Sequence, residues 1–351
     1  MPPAWIIRKK RSRYKFESIN DTKIVFMARK LIPNRRFIAI IQSINYKGGS
    51  YMAAARRKER TLDQRNAIMG YIMVSPIMVG ILLFSVIPVI FSLYISFTNW
   101  DMLHPQQWVG LANYKGIFSG STLPLVWKNT LTYCAIAIPG AILFGMLLAL
   151  AMNAKIHGVA LYRTAFFMPN ITTTVAVCIV WMWLYNKDFG LLNNILRGVG
   201  LQPVKWISSR QWAMRSVSFM SIWQAMGYDM ILLTAGLKAI DETYYEAAMI
   251  DGANGWKSFW HLTLPMLTPT LFFLVVTHCI NYVQMFDAAY ILTEGGPGHA
   301  TTTVVMQIYN TAFQYFRMGE ASSYAWVLFV FVFVVTAIQF KAQDKWVNYD
   351  V

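Results

Sequence analysis

Six stretches of this chain are long and apolar enough to cross a lipid bilayer, and that feature decides the class of fold open to it. They run from Ile68 to Phe97, Thr130 to Met152, Phe166 to Tyr185, Ala213 to Leu237, Met266 to Leu292 and Ala321 to Phe340. A helix needs about 20 apolar residues to cover the hydrocarbon core. Inside that core no water satisfies the backbone, so each stretch must close its own hydrogen bonds as a helix. The expected fold is an all-α membrane protein with six transmembrane helices. The composition agrees, with 56% hydrophobic and only 13% charged residues and a mean hydropathy of +0.41, a balance too apolar for a soluble domain of this length. Pro76, Pro88, Pro139, Pro169 and Pro269 sit within the stretches or at their starts, where neighbouring helices can satisfy the carbonyls that a kink frees.

The net charge of +15 is concentrated at one end: residues 1–66 hold 17 Lys/Arg against 4 Asp/Glu. A basic flank before a first span is held in the cytoplasm by the positive-inside rule. Arg56, Arg57, Lys58, Arg60 and Arg65 crowd that entrance, whereas only Lys115 lies comparably near its exit. Six spans then return the C-terminus to the cytoplasm and put residues 98–129, 186–212 and 293–320 outside. Trp100, Trp108, Trp183, Trp206 and Trp212 lie near span ends, as in an interfacial aromatic belt. No aromatic-interleaved basic fold accompanies the charge, so no nucleic-acid partner is expected; membrane lipid is. Cys134, Cys178 and Cys279 fall inside apolar runs without paired spacing, which indicates neither a disulfide framework nor a metal site.

The segment before the first span is basic and non-periodic, and no signal peptide is visible in it. Codons for Lys47-Gly48-Gly49 can spell a purine-rich ribosome-binding site two codons ahead of Met52. Translation is therefore expected to begin at Met1 or at Met52, with residues 1–51 untranslated in the second case.

Residues 241–265, between the fourth and fifth stretches, have the length of two short helices and a turn. Glu242 to Met249 holds good helix formers. Gly252 and Gly255 supply the permissive backbone that ends one helix and bends the chain. Trp256, Phe259, Trp260 and Leu264 then recur at three- and four-residue spacing, an apolar stripe on a segment that should face water. Such a stripe suits either a protein partner or the lipid headgroups. No G-x-x-x-x-G-K-[ST] phosphate loop occurs anywhere, so the chain carries no ATP-binding motif of that kind.

Glu246-Ala247-Ala248, Asp251-Gly252-Ala253 and Leu264-Pro265 together resemble the EAA loop of binding-protein-dependent ABC importer permeases. Arg163 before Phe166-Phe167-Met168-Pro169, Phe189-Gly190 with Asn193, and Leu292 to Pro297 followed by Thr301-Thr302, Tyr309 and Phe313 are similar to the carbohydrate branch, of the maltose and glycerol-phosphate first-subunit type. The likeness covers residues 62–345. It implies an ABC type I importer permease fold and a non-catalytic subunit without cofactor. It also implies a heterodimer with a second permease subunit, two ATP-binding subunits that hydrolyse ATP, and an extracytoplasmic solute-binding protein that delivers a sugar or oligosaccharide. The chain would sit in a bacterial cytoplasmic membrane with both termini inside. Residues 1–66 form its basic cytoplasmic segment, 67–341 the permease domain with the coupling loop 241–265, and 342–351 a short tail. In the loop the resemblance implies an ATPase-coupling role for Glu246, Ala247, Ala248, Asp251 and Gly252.

His278, Tyr282 and Met285 stand at i, i+4 and i+7 in the fifth stretch, one helical face carrying groups that suit a sugar. With Tyr228 they fall, by resemblance to the maltose-type subunit, on substrate-pathway positions. The other reading of such residues is hydrogen bonding to a neighbouring helix. Asp229 and Asp287 are the intramembrane acids, costly to leave unpaired. They are expected to bond other helices, and the rival reading is an ion-coupled secondary transporter of a small polar solute that uses one of them.

Overall fold

The computed structural model describes residues 67–153 and 157–348; the basic N-terminal segment, with Met52, lies outside the described residues. The chain divides into two units, residues 1–86 and 87–351. The described part of the first is the helical run 67–86, whose apolar side chains are exposed. The packing and the sites described below lie in the second unit. The described residues fold as helices joined by loops, with one isolated β-bridge between Thr98 and Trp108.

Among the described residues, three helices are long and apolar enough to cross a membrane. These are α1 (Ala67–Ser96), α3 (Thr122–Asn153) and the helix that opens at Met318. Between α1 and α3 lies the short α2 (Ala112–Ser119). Two further apolar stretches are bent pairs, and five spans result if each pair is counted as one. In the first, α4 (Val159–Ile171) meets α5 (Thr174–Leu184) at 100°. Pro169 lies inside α4, but the chain breaks three residues later, where Thr172 and Thr173 take extended backbone with ψ near 139° and 138°. Ile171 to Val175 is an uninterrupted β-branched run, poor in helix propensity and content in extended backbone.

The short α6 (Leu191–Gly198) precedes α7 (Ala213–Ala239), which has the most extensive contact with α3. Ala137, Ala141, Gly145 and Ala149 recur every fourth residue along α3 and are buried, a small-residue stripe that lets two helix backbones approach. A Cβ at Gly145 would collide with Asp229 of α7, and one at Gly227 of α7 would collide with the Phe166 carbonyl of α4. α7 is less apolar than the other long helices because its sides are covered by protein rather than lipid.

The loop region 241–265 folds as α8 (Glu242–Ile250) and α9 (Gly255–Met266), with a π turn at Phe259–Thr263. α9 meets α10 (Thr268–Val283) at 62°. The fifth apolar stretch is broken again at Gln284–Phe286 before α11 (Asp287–Thr293), and α12 (Val304–Tyr309) and α13 (Met318–Ala342) complete the chain. Two buried apolar clusters lie along the α3–α7 pair. One gathers α5, α11 and α12 around Tyr133, Trp181 and Met220; the other gathers α10 around Met146, Met230, Leu233 and Leu274.

Candidate functional site

Asn170 and Thr174, on either side of the break between α4 and α5, and the interruption Gln284–Phe286 between α10 and α11 line one cavity of about 510 Å³, completed by residues of α3 and α7. Its wall carries the carboxamides of Asn170, Gln224, Asn281 and Gln284, the hydroxyls of Tyr133, Thr174, Ser221 and Tyr282, and one charged group, the carboxylate of Asp287. The extended Thr172 leaves the helical ladder, and its carbonyl is met from α7 by the Gln224 amide at 3.5 Å. The second break is held from below by the glycine-proline loop. Thr303 Oγ1 donates to the Met285 carbonyl at 2.8 Å, Thr302 Oγ1 to the Gly295 carbonyl at 3.2 Å, and the Thr293 and Thr301 hydroxyls bond at 2.6 Å. Thr303, the neighbour of the Thr301-Thr302 pair in the family likeness, thus anchors a segment of the cavity wall.

Of the four pathway residues read from the sequence, Tyr282 and Met285 line this cavity, whereas Tyr228 and His278 stand outside its lining. Tyr228 packs on the cluster around Met230. His278 is 4% exposed and points to Asp229, which is fully buried; its Nε2 lies 2.9 Å from both carboxylate oxygens. The His278 ring stacks on Tyr282 at 4.9 Å between centroids, and Tyr282 in turn lies 5.4 Å from Tyr133. The Tyr282 hydroxyl is buried and finds no hydrogen-bond partner among the described residues. The three residues do not form one face because α10 ends at Val283, which puts Met285 past the helix on the broken segment. The cavity amides went unread in the sequence; the available signal was four carboxamides inside apolar runs, where each is expensive unless it meets a partner or a ligand.

The loop is built with matching precision at its ends. The Asp241 side chain accepts from the Thr243 N–H at 2.9 Å and caps α8. That backbone bond, with a second from the Thr243 hydroxyl, holds the Asp241 carboxyl below its ordinary value. At the far end Gly252 has φ +76°. Its N–H reaches the Met249 carbonyl at 3.0 Å while the Ala253 N–H reaches that of Ala248 at 2.9 Å, the paired bonds of a Schellman ending. Asn254 caps α9 through the Lys257 N–H at 2.9 Å.

Glu246, Ala247, Asp251 and Gly252 are exposed and Ala248 is half-buried. Met249 and Ile250 are 66% and 87% exposed beside them. The aromatic stripe divides: Phe259 and Leu264 turn inward onto the Met230 cluster, while Trp256 and Trp260 stay exposed and meet edge to face at 5.8 Å. The wider π turn shifts register, so three- and four-residue spacing no longer keeps one side of the helix. Tyr245 of α8 bonds Thr263 of α9 at 3.0 Å, tying the two halves together. Among the described residues no group of three or more His, Cys, Asp or Glu is placed to hold a metal ion.

The family model described as binding-protein-dependent transport system inner membrane component matches residues 48–348. The chain is 38% identical over 305 residues to the probable ABC transporter permease protein YesP of Bacillus subtilis, covering 85% of this chain and 97% of that protein. It is 31% identical over 284 residues to the trehalose/maltose transport system permease protein MalF of Thermococcus litoralis, covering 80% and 95%. The crystal structure of a bacterial ABC transporter involved in the import of the acidic polysaccharide alginate superposes with a TM-score of 0.71 over 81% of this chain and 97% of that one, at 23% identity, a likeness of fold. On the extent of these matches, the chain belongs to the binding-protein-dependent transport system inner membrane components of ABC transporters.

Proposed function

We propose that this protein is one of two unlike permease subunits of an ATP-driven importer, and that its cargo is an uncharged saccharide. The cavity carries this reading. Four carboxamides and the Thr174 and Ser221 hydroxyls can each donate to or accept from sugar hydroxyls, and the half-buried Phe286 adds an aromatic ring to the lining. Asp287, the one charge in the lining, disfavours anionic cargo. The names of relatives, a trehalose/maltose permease among them, point to the same class. In this reading α7 is the sixth span. Its 27 residues reach about 40 Å at 1.5 Å per residue, and protein on its sides permits its polar content. The basic N-terminus and the loop 241–265 lie in the cytoplasm. There Glu246, Ala247, Ala248, Asp251 and Gly252 present α8 to a separate ATP-hydrolysing subunit, and an extracytoplasmic binding protein supplies the sugar.

The test is ATP-dependent uptake in proteoliposomes holding the whole transporter and its binding protein, with neutral and acidic oligosaccharides offered in parallel. Neutral sugars should be taken up. Asn281→Leu and Gln224→Leu should each lower that uptake roughly three- to tenfold, the value of one hydrogen bond to an uncharged partner. Exclusive uptake of acidic sugars, or unchanged uptake by both variants, would refute the assignment.

A further inference from the structure

A second cavity, of about 270 Å³, lies at the end of α7 away from the loop, and its chemistry differs from that of the first. Ile136, Phe219 and Ile222 give it apolar walls, and Trp206, Trp212 and Arg215 stand at its rim. The hydroxyls and one indole N–H of its lining are already engaged. The Tyr185 hydroxyl donates to the Ser216 carbonyl at 2.8 Å, the Ser216 hydroxyl to the Trp206 carbonyl at 2.9 Å, and the Trp206 indole N–H to Asn193 at 3.0 Å. Arg215 is exposed, and its one recorded contact is with the ring of Trp212, 5.5 Å from the centroid; the ion pairs among the described residues all involve other residues. Phe219 and Ile222 follow Arg215 at four and seven residues, so the cation and the apolar wall share one side of α7.

A lone cation at the mouth of an apolar groove, level with an aromatic cluster of the kind that marks the headgroup region, complements a molecule with an anionic head and a hydrocarbon tail. We infer that this groove binds an anionic phospholipid of the leaflet facing away from the 241–265 loop, with the phosphate on Arg215 and an acyl chain along Phe219, Ile222 and Ile136. Such a lipid compensates a positive charge on a face otherwise greasy, and it fills a gap between α3 and α7 at the end opposite the loop.

The experiment uses the assembled transporter, purified in detergent, stripped of lipid and titrated with dioleoyl phosphatidylglycerol or dioleoyl phosphatidylcholine, with bound lipid counted by native mass spectrometry. The wild type should fill its first phosphatidylglycerol site at a roughly fivefold lower concentration than phosphatidylcholine, the factor that one basic side chain contributes at an anionic headgroup. Arg215→Gln should erase that preference, Arg215→Lys should keep it, and Phe219→Asn should weaken both lipids alike. Because Arg215 and Phe219 are exposed, none of these changes threatens the core. Equal binding of the two lipids by the wild type, or an intact preference in Arg215→Gln, overturns the inference. A photo-crosslinker at position 219 decides between occupants: a lipid adduct supports the site, and an adduct with a neighbouring subunit overturns it.

Discussion

Asp229 and His278 show how a residue in a membrane helix takes its role from the helix opposite. Asp229 can stand against α3 because position 145 is glycine, and in that dry contact its carboxylate has only His278 to answer it. Removing one partner of a buried pair leaves the other uncompensated, at a cost of about 3–5 kcal/mol, whereas replacing both by apolar groups is often close to neutral. His278→Phe should therefore lower the melting temperature of the detergent-purified protein sharply, and adding Asp229→Leu should recover most of the loss; a single variant as stable as the wild type would show that the pair contributes little. The sequence made both residues conspicuous, as polar groups in apolar runs, but it could not say that they face each other, because a helical wheel does not reveal which neighbour covers which face. The Asp241 carboxyl is depressed by its cap bonds. Its contribution to the loop is present above the ordinary carboxylate value and is lost only as pH falls through the lowered one, so the cap stays in place across the neutral range.

The loop 241–265 was legible as two helices and a turn because its punctuation is local: helix formers from Glu242 to Met249, then Gly252 and Gly255; the caps at Asp241 and Asn254 emerged only with the structure. Gly252→Pro removes the N–H that bonds Met249 and demands a negative φ where the backbone has +76°, so the end of α8 must re-form. Glu246→Lys changes only the sign of an exposed charge; at a docking surface a like-charge contact costs several kcal/mol. Both variants should reach the membrane in normal amounts and lose uptake roughly tenfold or more, read by immunoblot and transport together; wild-type uptake by either would argue against docking through α8. The bent stretches were less legible. Hydropathy registers what a side chain prefers and is blind to backbone angles. The apolar run from Phe166 to Tyr185 therefore reads as one span although Thr172 and Thr173 turn the chain by 100°, and the cavity formed at that turn stayed hidden with it.

Taken whole, the described chain joins a bundle of apolar helices to an exposed loop, and its sequence has no phosphate-binding loop. Two energy sources are distinguishable. If a separate ATPase drives the cycle, collapsing the proton gradient in cells that keep their ATP should leave uptake close to normal, and an inactive ATPase should abolish it; an ion-coupled carrier working through Asp229 or Asp287 gives the reverse. If the proposed ATPase pushes on the loop, one joint would carry that push. α9 carries the exposed Trp256 and Trp260, and it meets α10 at Leu267, which is fully buried, with Thr268 Oγ1 on the Pro265 carbonyl at 2.6 Å. The far end of α10 bears Asn281 and Tyr282 on the cavity wall. This is the form of a crank: a short handle in water, a fixed elbow, and an arm of 16 residues, about 24 Å long. A turn of about 10° at the elbow would swing the tip of such an arm by roughly 4 Å, more than the width of a hydrogen bond, which is enough to release a sugar that was held a moment before.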